Sequence, residues 1–301
     1  MALIAGPTAS GKSALAMALA ERHGGTIVNA DASQVYADLR VLSARPSPAD
    51  EARVPHRLFG HVDGADTGYT TVRWAAEARA AIAGSVRDGR LPIVVGGTGL
   101  YLRTLLDGIA PIPAIAPDVR AEVRALPAAE AHRALQVEDP LAAARLAATD
   151  TTRLHRALEV VRGTGRPISE WQGRRTGGIA GSVRIAPIVL MPPRDWLRAR
   201  CDARLVAMWP DAVTEVKALL DRPDVPATAA VRRAIGVAEI AAWLDGATSG
   251  EAALHHAQAA TRQYAKRQST WLRHQLPRDW PRLEWTQTPD HLAALEILLR
   301  K

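Results

Sequence analysis

A single cysteine, Cys201, occurs among the 301 residues. One thiol can form neither an internal disulfide nor a thiolate zinc cluster, and chains without disulfides suit reducing compartments. The ordinary state of such a residue is a small buried hydrophobe. Phenylalanine occurs once and aromatics make up 4% of the chain, so core formation falls to Ala, Leu, Val and Ile. No apolar run approaches the ~20 residues that span a bilayer. The small-residue string after Lys12 lacks the basic segment that precedes the apolar core of a secretory signal. These absences predict a cytoplasmic protein that does not enter a membrane. Lysine is scarce, yet Lys and Arg total 38 against 31 Asp and Glu, a formal charge of +7. That excess suits an anionic partner and equally suits a solvated basic surface.

What is present reads as α/β. The length fits one medium domain carrying a smaller insertion, and 48% hydrophobic residues suffice for a sizeable core. MALIAG at the start, GTIVNAD (25–31), LPIVVGG (91–97) and VRIAPIVLMPP (183–193) are short apolar runs. Helical patterns alternate with them, KSALAMALAERHG after the first and WAAEARAAIAGSVRDG before the third. Alternation of this kind predicts a parallel sheet flanked by helices on both faces. Residues 111–180 open on PIPAIAP, close on GRRTGGIAG and are helical between, which reads as a helical insertion subdomain in a core of residues 1–110 and 181–301. From about residue 194 the chain reads as helix: WLRARCDARLVAM, AVTEVKALL, VAEIAAWL and ALHHAQAATRQYAKRQSTWLRHQL.

Gly6, Pro7, Thr8, Ala9, Ser10, Gly11, Lys12 and Ser13 spell the full G-x-x-x-x-G-K-[ST] phosphate-binding pattern, in the strand–loop–helix context it needs. Backbone N–H groups at a helix N-terminus form an anion nest, Lys12 adds positive charge, and the Ser13 hydroxyl can join Mg²⁺ coordination. ATP or GTP is the usual occupant of such loops. Asp31, in DASQVY after the second apolar run, can bind metal or accept a proton, or it can simply cap a helix. GGTGLYL (96–102) offers flexible backbone and the Thr98 hydroxyl, or is an ordinary strand-to-helix turn. In such sheets ligands bind beyond the C-terminal strand ends, where these three segments converge. TRQYAKRQSTWLR (261–273) places Arg262, Lys266 and Arg273 on roughly one helical face. That stripe can grip a phosphate backbone, clamp pyrophosphate, or merely face solvent.

Taken together, GPTASGKS, DASQVY, GGTGLYL, DPLAAARLAATDTTRLHRALEV (139–160), TGRPIS (164–169), RRAIGVAEI (232–240) and TRQYAKRQSTWLR resemble the tRNA dimethylallyltransferases, in their order and over nearly the whole chain. The resemblance implies transfer of a dimethylallyl group from dimethylallyl diphosphate to N6 of the adenine 3′-adjacent to the anticodon, with Mg²⁺, by a monomer. It implies that the phosphate loop holds the diphosphate, that Arg233 lies there too, that Asp31 is the general base and that Thr98 assists near the reacting centre. It places tRNA contacts at Asp31, Ala32, Ser33, Gln34, Thr98, Arg120, Thr152, Arg153, Leu154, His155, Arg156, Arg233, Ala234, Ile235, Gly236, Val237 and Ala238, with the insertion on the anticodon stem. The chain departs from the usual pattern at Ala32-Ser33, at VLSARP (41–46), which includes Leu42, and at Val237. The lack of a Cys/His zinc finger after the last helix points to the bacterial type.

Three rivals share the loop. A small-molecule kinase leaves DASQVY and TRQYAKRQ without a role, and a prenyltransferase acting on free AMP or ADP has little use for the insertion. A non-catalytic, nucleotide-dependent RNA-binding switch has no need of Asp31.

Overall fold

The computed structural model describes residues 1–284 and 288–300, so residues 285–287 and 301 of the span assigned to the core fall outside the described residues. The chain divides into two compact units, Met1–Leu105 with Ser182–Lys301, and Leu106–Gly181. The larger unit contains strands β1 (Ala2–Ala5), β2 (Gly25–Asn29), β3 (His56–Arg57), β4 (Leu91–Gly96), β5 (Ala186–Leu190) and β6 (Arg282–Leu283). They form one sheet in the order β3-β2-β4-β1-β5-β6, and every pairing is parallel. Helices of this unit are α1 (Lys12–His23), α2 (Pro48–Arg53), α3 (Thr71–Arg87) and α4 (Gly99–Asp107), the last of which carries the chain into the smaller unit.

Register explains the apolar runs. Ala2 aligns with Ile93 and Ala186, and Ile4 with Val95 and Ile188, so these side chains share one face. They form a single cluster with Leu15 and Leu19 of α1 and with Leu295. The alternate residues Leu3, Val28, Val94 and Val189 are just as fully buried, and α3 packs against β2 and β4. Strands covered on both faces cannot alternate with polar residues, which is why each run reads as continuously apolar.

The smaller unit is helical: α5 (Pro117–Ala125), α6 (Ala128–Glu138), α7 (Pro140–Arg145), α8 (Thr151–Thr164) and α9 (Ile168–Gln172). Its own core comprises Val123, Ala131, Leu135, Leu154, Ala157 and Leu158. Asp139, almost fully buried, caps α7 through Ala142 N at 3.0 Å and accepts from Ile168 N at 3.1 Å. Back in the larger unit, α10 (Arg194–Leu220), a 3₁₀ turn at Val231–Arg233, α11 (Val237–Leu244), α12 (Gly250–Gln275) and α13 (Thr288–Arg300) complete the chain. Among the described residues no helix is long and apolar enough to cross a membrane.

Three features differ from the sequence reading. WLRARCDARLVAM and AVTEVKALL, read apart across Pro210, are one helix with Pro210 inside it. Proline forfeits one backbone bond there, and packing of α10 against α11 and α12 holds the two halves in line. The edge strands β3 and β6 have two residues each, too few to leave a periodicity. Helix α13 escaped notice, although Leu295 on it is fully buried.

Trp74 on α3 heads the largest fully buried side chains. Its indole donates to Asn29 O at 3.0 Å and stacks on Tyr101 with ring centroids 4.1 Å apart. Trp74→Ala is expected to destabilise the larger unit by about 3–5 kcal/mol, since both the buried area and the cavity left behind count. Urea unfolding followed by circular dichroism measures this, and a transition left in place would contradict the assignment.

Candidate active site

The phosphate loop runs from the end of β1 into α1. Gly6 N donates to Gly96 O at 3.2 Å and Ser10 N to Pro7 O at 3.3 Å, which closes the loop on itself. Ala9 (φ 61°) and Gly11 (φ 90°) occupy the left-handed region, the alternation that turns successive N–H groups toward one point. Gly11, directly before α1, meets that requirement without the Cβ clash. Lys12 is buried and its ammonium donates to Pro7 O at 3.2 Å. Burial pushes its pKa down to about 8, with the nearby Asp31 working against that shift and Arg204 reinforcing it. Among the described residues the Ser10 hydroxyl is buried without a hydrogen-bond partner, and it occupies the space that a Cβ on Gly6 would need.

Asp31 follows β2, and Asn29 fixes its backbone. The fully buried Asn29 side chain accepts from Asp31 N at 2.8 Å and donates to Asp31 O at 2.9 Å and Leu58 O at 3.0 Å. One carboxylate oxygen of Asp31, Oδ1, accepts from Ser33 N at 3.0 Å and from the Ser33 hydroxyl at 2.7 Å. Among the described residues no donor is bonded to Oδ2. The Thr98 hydroxyl accepts from Ala32 N at 2.9 Å and also interacts with the Tyr264 hydroxyl. Close approach of β4 to the Asp31 loop requires glycine, because a Cβ on Gly96 would lie 2.1 Å from Ala30 O.

Two helices from the distant C-terminal part brace these loops. Arg204 of α10 hydrogen-bonds the Thr8 hydroxyl, and Arg200 donates to Ala9 O at 3.2 Å. Gln268 of α12 is 5% exposed. Its amide oxygen accepts from Thr8 N at 2.8 Å and its amide nitrogen donates to Gly97 O at 3.1 Å. One side chain therefore spans the phosphate loop and the β4 turn. The Tyr264 hydroxyl interacts with Thr98 and Gln268, and burial raises its pKa. Burial likewise raises the pKa of Tyr36 and Tyr101, so all three phenols stay neutral.

These groups converge on one cavity of about 440 Å³. Thr8, Lys12, Ser13, Asp31, Ala32, Ser33 and Gln34 line it, with Tyr36, Tyr101, Arg204, Tyr264 and Arg267. Arg233, Ala234 and Ile235 from the 3₁₀ turn and the residues after it also line it. The Gly236 N–H donates to Glu239 at 3.0 Å, while Val237 is 2% exposed and Ala238 is exposed. The departure at residue 32 involves a backbone contact, and that at residue 33 supplies the hydroxyl bonded to Asp31. Leu42 lines the cavity, and its loop is held by Glu215 of α10, which accepts from Val41 N at 2.8 Å and Leu42 N at 3.0 Å.

Arg120, Thr152, Arg153, Leu154, His155 and Arg156 belong to the smaller unit. Arg120, Thr152 and Arg153 are exposed. Arg153 pairs with Asp150 at 2.9 Å, Arg156 with the buried Glu159 at 3.4 Å, and the His155 ring sits 3.0 Å from Leu126 O. Leu154 is fully buried in that unit's core, which leaves only its backbone for an outside contact. Arg262, Lys266 and Arg273 do not line the Asp31 cavity, and Arg262 pairs with Asp202 at 2.6 Å. Sequence reading passed over Arg204, Tyr264 and Gln268 as site residues. The four-residue spacings Arg200–Arg204 and Tyr264–Gln268 were the available signal, since each pair projects from one helical face.

Comparison with known proteins bears on the family and the fold. The family model described as IPP transferase matches residues 34–275. The tRNA dimethylallyltransferase of Sphingopyxis alaskensis is 62% identical over 306 residues, covering 100% of this chain and 98% of that protein. The tRNA dimethylallyltransferase of Zymomonas mobilis is 54% identical, with 92% and 89% covered. Among solved structures, the tRNA isopentenylpyrophosphate transferase of Bacillus halodurans aligns with a TM-score of 0.70 at 27% identity, covering 99% of this chain and 97% of that one. A eukaryotic dimethylallyltransferase acting on tRNA aligns with a TM-score of 0.82 at 27% identity, covering 99% and 77%. The family model over residues 34–275 and relatives at 62% and 54% identity over most of their length place this chain in the IPP transferase family, among the bacterial tRNA dimethylallyltransferases.

Proposed function

We propose that this protein transfers the dimethylallyl group of dimethylallyl diphosphate to N6 of the adenine 3′-adjacent to the anticodon, in tRNAs that read codons beginning with U, and releases diphosphate. One observation carries the reading. An anion nest with a buried lysine and a carboxylate with one unengaged oxygen share a single cavity. A kinase can use the same pair, and the match over the whole chain to a tRNA dimethylallyltransferase favours prenyl transfer.

In the reaction the allylic carbon–oxygen bond breaks and the adenine N6–carbon bond forms. The electron pair of the broken bond leaves with the diphosphate, where the loop N–H groups, Lys12, Arg204 and Arg233 offset the growing negative charge. Adenine N6 is a weak nucleophile because its lone pair is delocalised into the ring. Oδ2 of Asp31 accepts its hydrogen bond, orients it and takes the proton as the new bond forms. The Thr98 hydroxyl, which holds Ala32 N and meets Tyr264, assists beside that centre by fixing the loop that carries Asp31.

Mg²⁺ fits the donor set. Among the described residues no cluster of three His, Cys, Asp or Glu side chains stands ready for a metal, and the exposed Ser13 hydroxyl lines the cavity. A cation that keeps several waters and binds through phosphate oxygens needs no more than this from the protein. When bound, it neutralises diphosphate charge.

An adenine stacked in an anticodon loop cannot enter such a cavity, so it is extruded at a cost of about a few kcal/mol. Tyr36, Tyr101 and Tyr264 line the space that receives the base, and Ala32 to Gln34 and Arg233 to Ala238 supply contacts at the cavity and just beyond it. Arg120 and Thr152 to Arg156 of the helical unit grip the anticodon stem through phosphates. The protein acts in the cytoplasm, where tRNA is found, and as a monomer.

The direct test supplies labelled dimethylallyl diphosphate and Mg²⁺ with unmodified tRNA, with AMP, or with ATP and candidate acceptors. A five-carbon mass increase confined to tRNA supports the reading. Phosphoryl transfer from ATP without use of the isoprenoid donor would refute it.

Asp31→Asn is expected to leave donor and tRNA affinity intact while kcat falls about 10²–10⁴-fold, and near-normal turnover would remove the general-base role. The lowered pKa of Lys12 has a definite sign. Its ammonium is present below about pH 8 and lost above it, so donor affinity is expected to decline as pH rises through that value. Lys12→Ala should bind donor more weakly and lack this pH dependence, as titrations between pH 7 and 9.5 would reveal. Gln268→Leu orphans both Thr8 N and Gly97 O, at about 1–3 kcal/mol for each buried group. A drop in kcat/KM of about 10–100-fold with unchanged tRNA affinity is expected. Unaltered kcat/KM would mean that the two loops hold their register unaided.

A further inference from the structure

Helix α12 separates two cavities. Its residues Thr261, Tyr264 and Gln268 face the Asp31 side, while Arg262, Lys266 and Arg273 line a second cavity of about 460 Å³. Arg194 and Arg198 from the first turns of α10 bring the cations to five, and among the described residues no carboxylate lines this space. Arg262 is the member engaged by an acid, Asp202 at 2.6 Å. Among the described residues, the side chains of Arg194, Arg198, Lys266 and Arg273 form no ion pair or hydrogen bond. Like charges gathered around one space repel each other and attract anions. Five cations gathered around one cavity, four of them without an acid partner among the described residues, point to a ligand.

Two further observations bear on what that ligand is. The floor is apolar, formed by Met191, Leu197, Cys201 and Ala265. Leu197, Cys201 and Ala265 also pack against Ala9 of the phosphate loop, so this floor is a wall shared with the loop. The position matters as well. Met191 and Pro192 lie just past the C-terminal end of β5, which flanks β1 on the side opposite β4. Crevices outside the carboxyl ends of parallel strands are where such sheets bind ligands, and β1 has one on each side.

We propose that this second cavity is a distinct anion site for a small phosphate ester, a di- or polyphosphate whose apolar part rests on Met191 and Leu197. The site stands apart from the phosphate loop, and its existence does not depend on the prenyl-transfer reading.

Calorimetric titration of the full chain with inorganic pyrophosphate tests this at low and moderate salt. Two binding equivalents are expected. Lys12→Ala should keep the second-cavity equivalent, and the triple variant Arg198→Ala, Lys266→Ala, Arg273→Ala should keep only that of the phosphate loop. The remaining affinity at the altered cavity should be at least about tenfold weaker, because surface cations act additively on a phosphate. Hydrogen exchange provides a readout that does not depend on the Lys12 variant folding: pyrophosphate should protect residues 194–201 and 262–273 in the wild type. A single equivalent, abolished by Lys12→Ala and without protection of those segments, would overturn the proposal. So would a single equivalent combined with lost tRNA affinity in the triple variant, since the cations would then serve an RNA backbone.

Discussion

The approach of β4 to the loop after β2 is the constraint on which the site rests. Gly96 lies so close to Ala30 that no side chain fits between them, and Gly6 N reaches Gly96 O from the other side. Three strand ends are thereby pinned together within one parallel sheet. The phosphate loop, Asp31 and Thr98 occupy those ends, so their mutual distances follow from backbone packing more than from side-chain choice. Gly97 continues the pattern, since a Cβ there would meet Gly6 O and the Gln268 amide at 2.5 Å each. The bracing hydrogen bonds of Gln268 are possible only because that space is empty of a side chain.

Burial supplies the electrostatics. Lys12 lies inside the loop with a carbonyl for company, and its charge is disfavoured by desolvation until an anion arrives. Asp31 and Lys12 face the same small space without a direct ion pair. A salt bridge would quench both groups, whereas separation leaves one to hold a leaving anion and the other to accept a proton.

Much of this was legible in the sequence because the informative features are local. The phosphate loop, the four main strands and α1 announce themselves through contiguous pattern, and Asp31 and Thr98 stand at strand ends where a parallel sheet must place them. Arg204, Tyr264 and Gln268 were not legible as site residues. They reach the cavity from helices that follow the loop by about two hundred residues in the chain, and only tertiary packing selects the helical face they share. Pro210 misled for the same reason: a local breaker was overridden by neighbours on α11 and α12. The two-residue strands β3 and β6 carry no signal at all, because pairing with a sheet that already exists creates them. The stripe of Arg262, Lys266 and Arg273 was visible, but the cavity it lines was not.

Helix α10 touches both sides of the chemistry. Arg200 and Arg204 near its start hold the loop that carries Thr8 and Ala9, and Glu215 near its end caps the segment around Leu42. Pro210 lies between those contacts, and the amide hydrogen it lacks makes this the most compliant point of the rod. A bend at that point would let the alkyl-donor and purine ends adjust separately. A stiffer helix would instead make every accommodation at one end a displacement at the other.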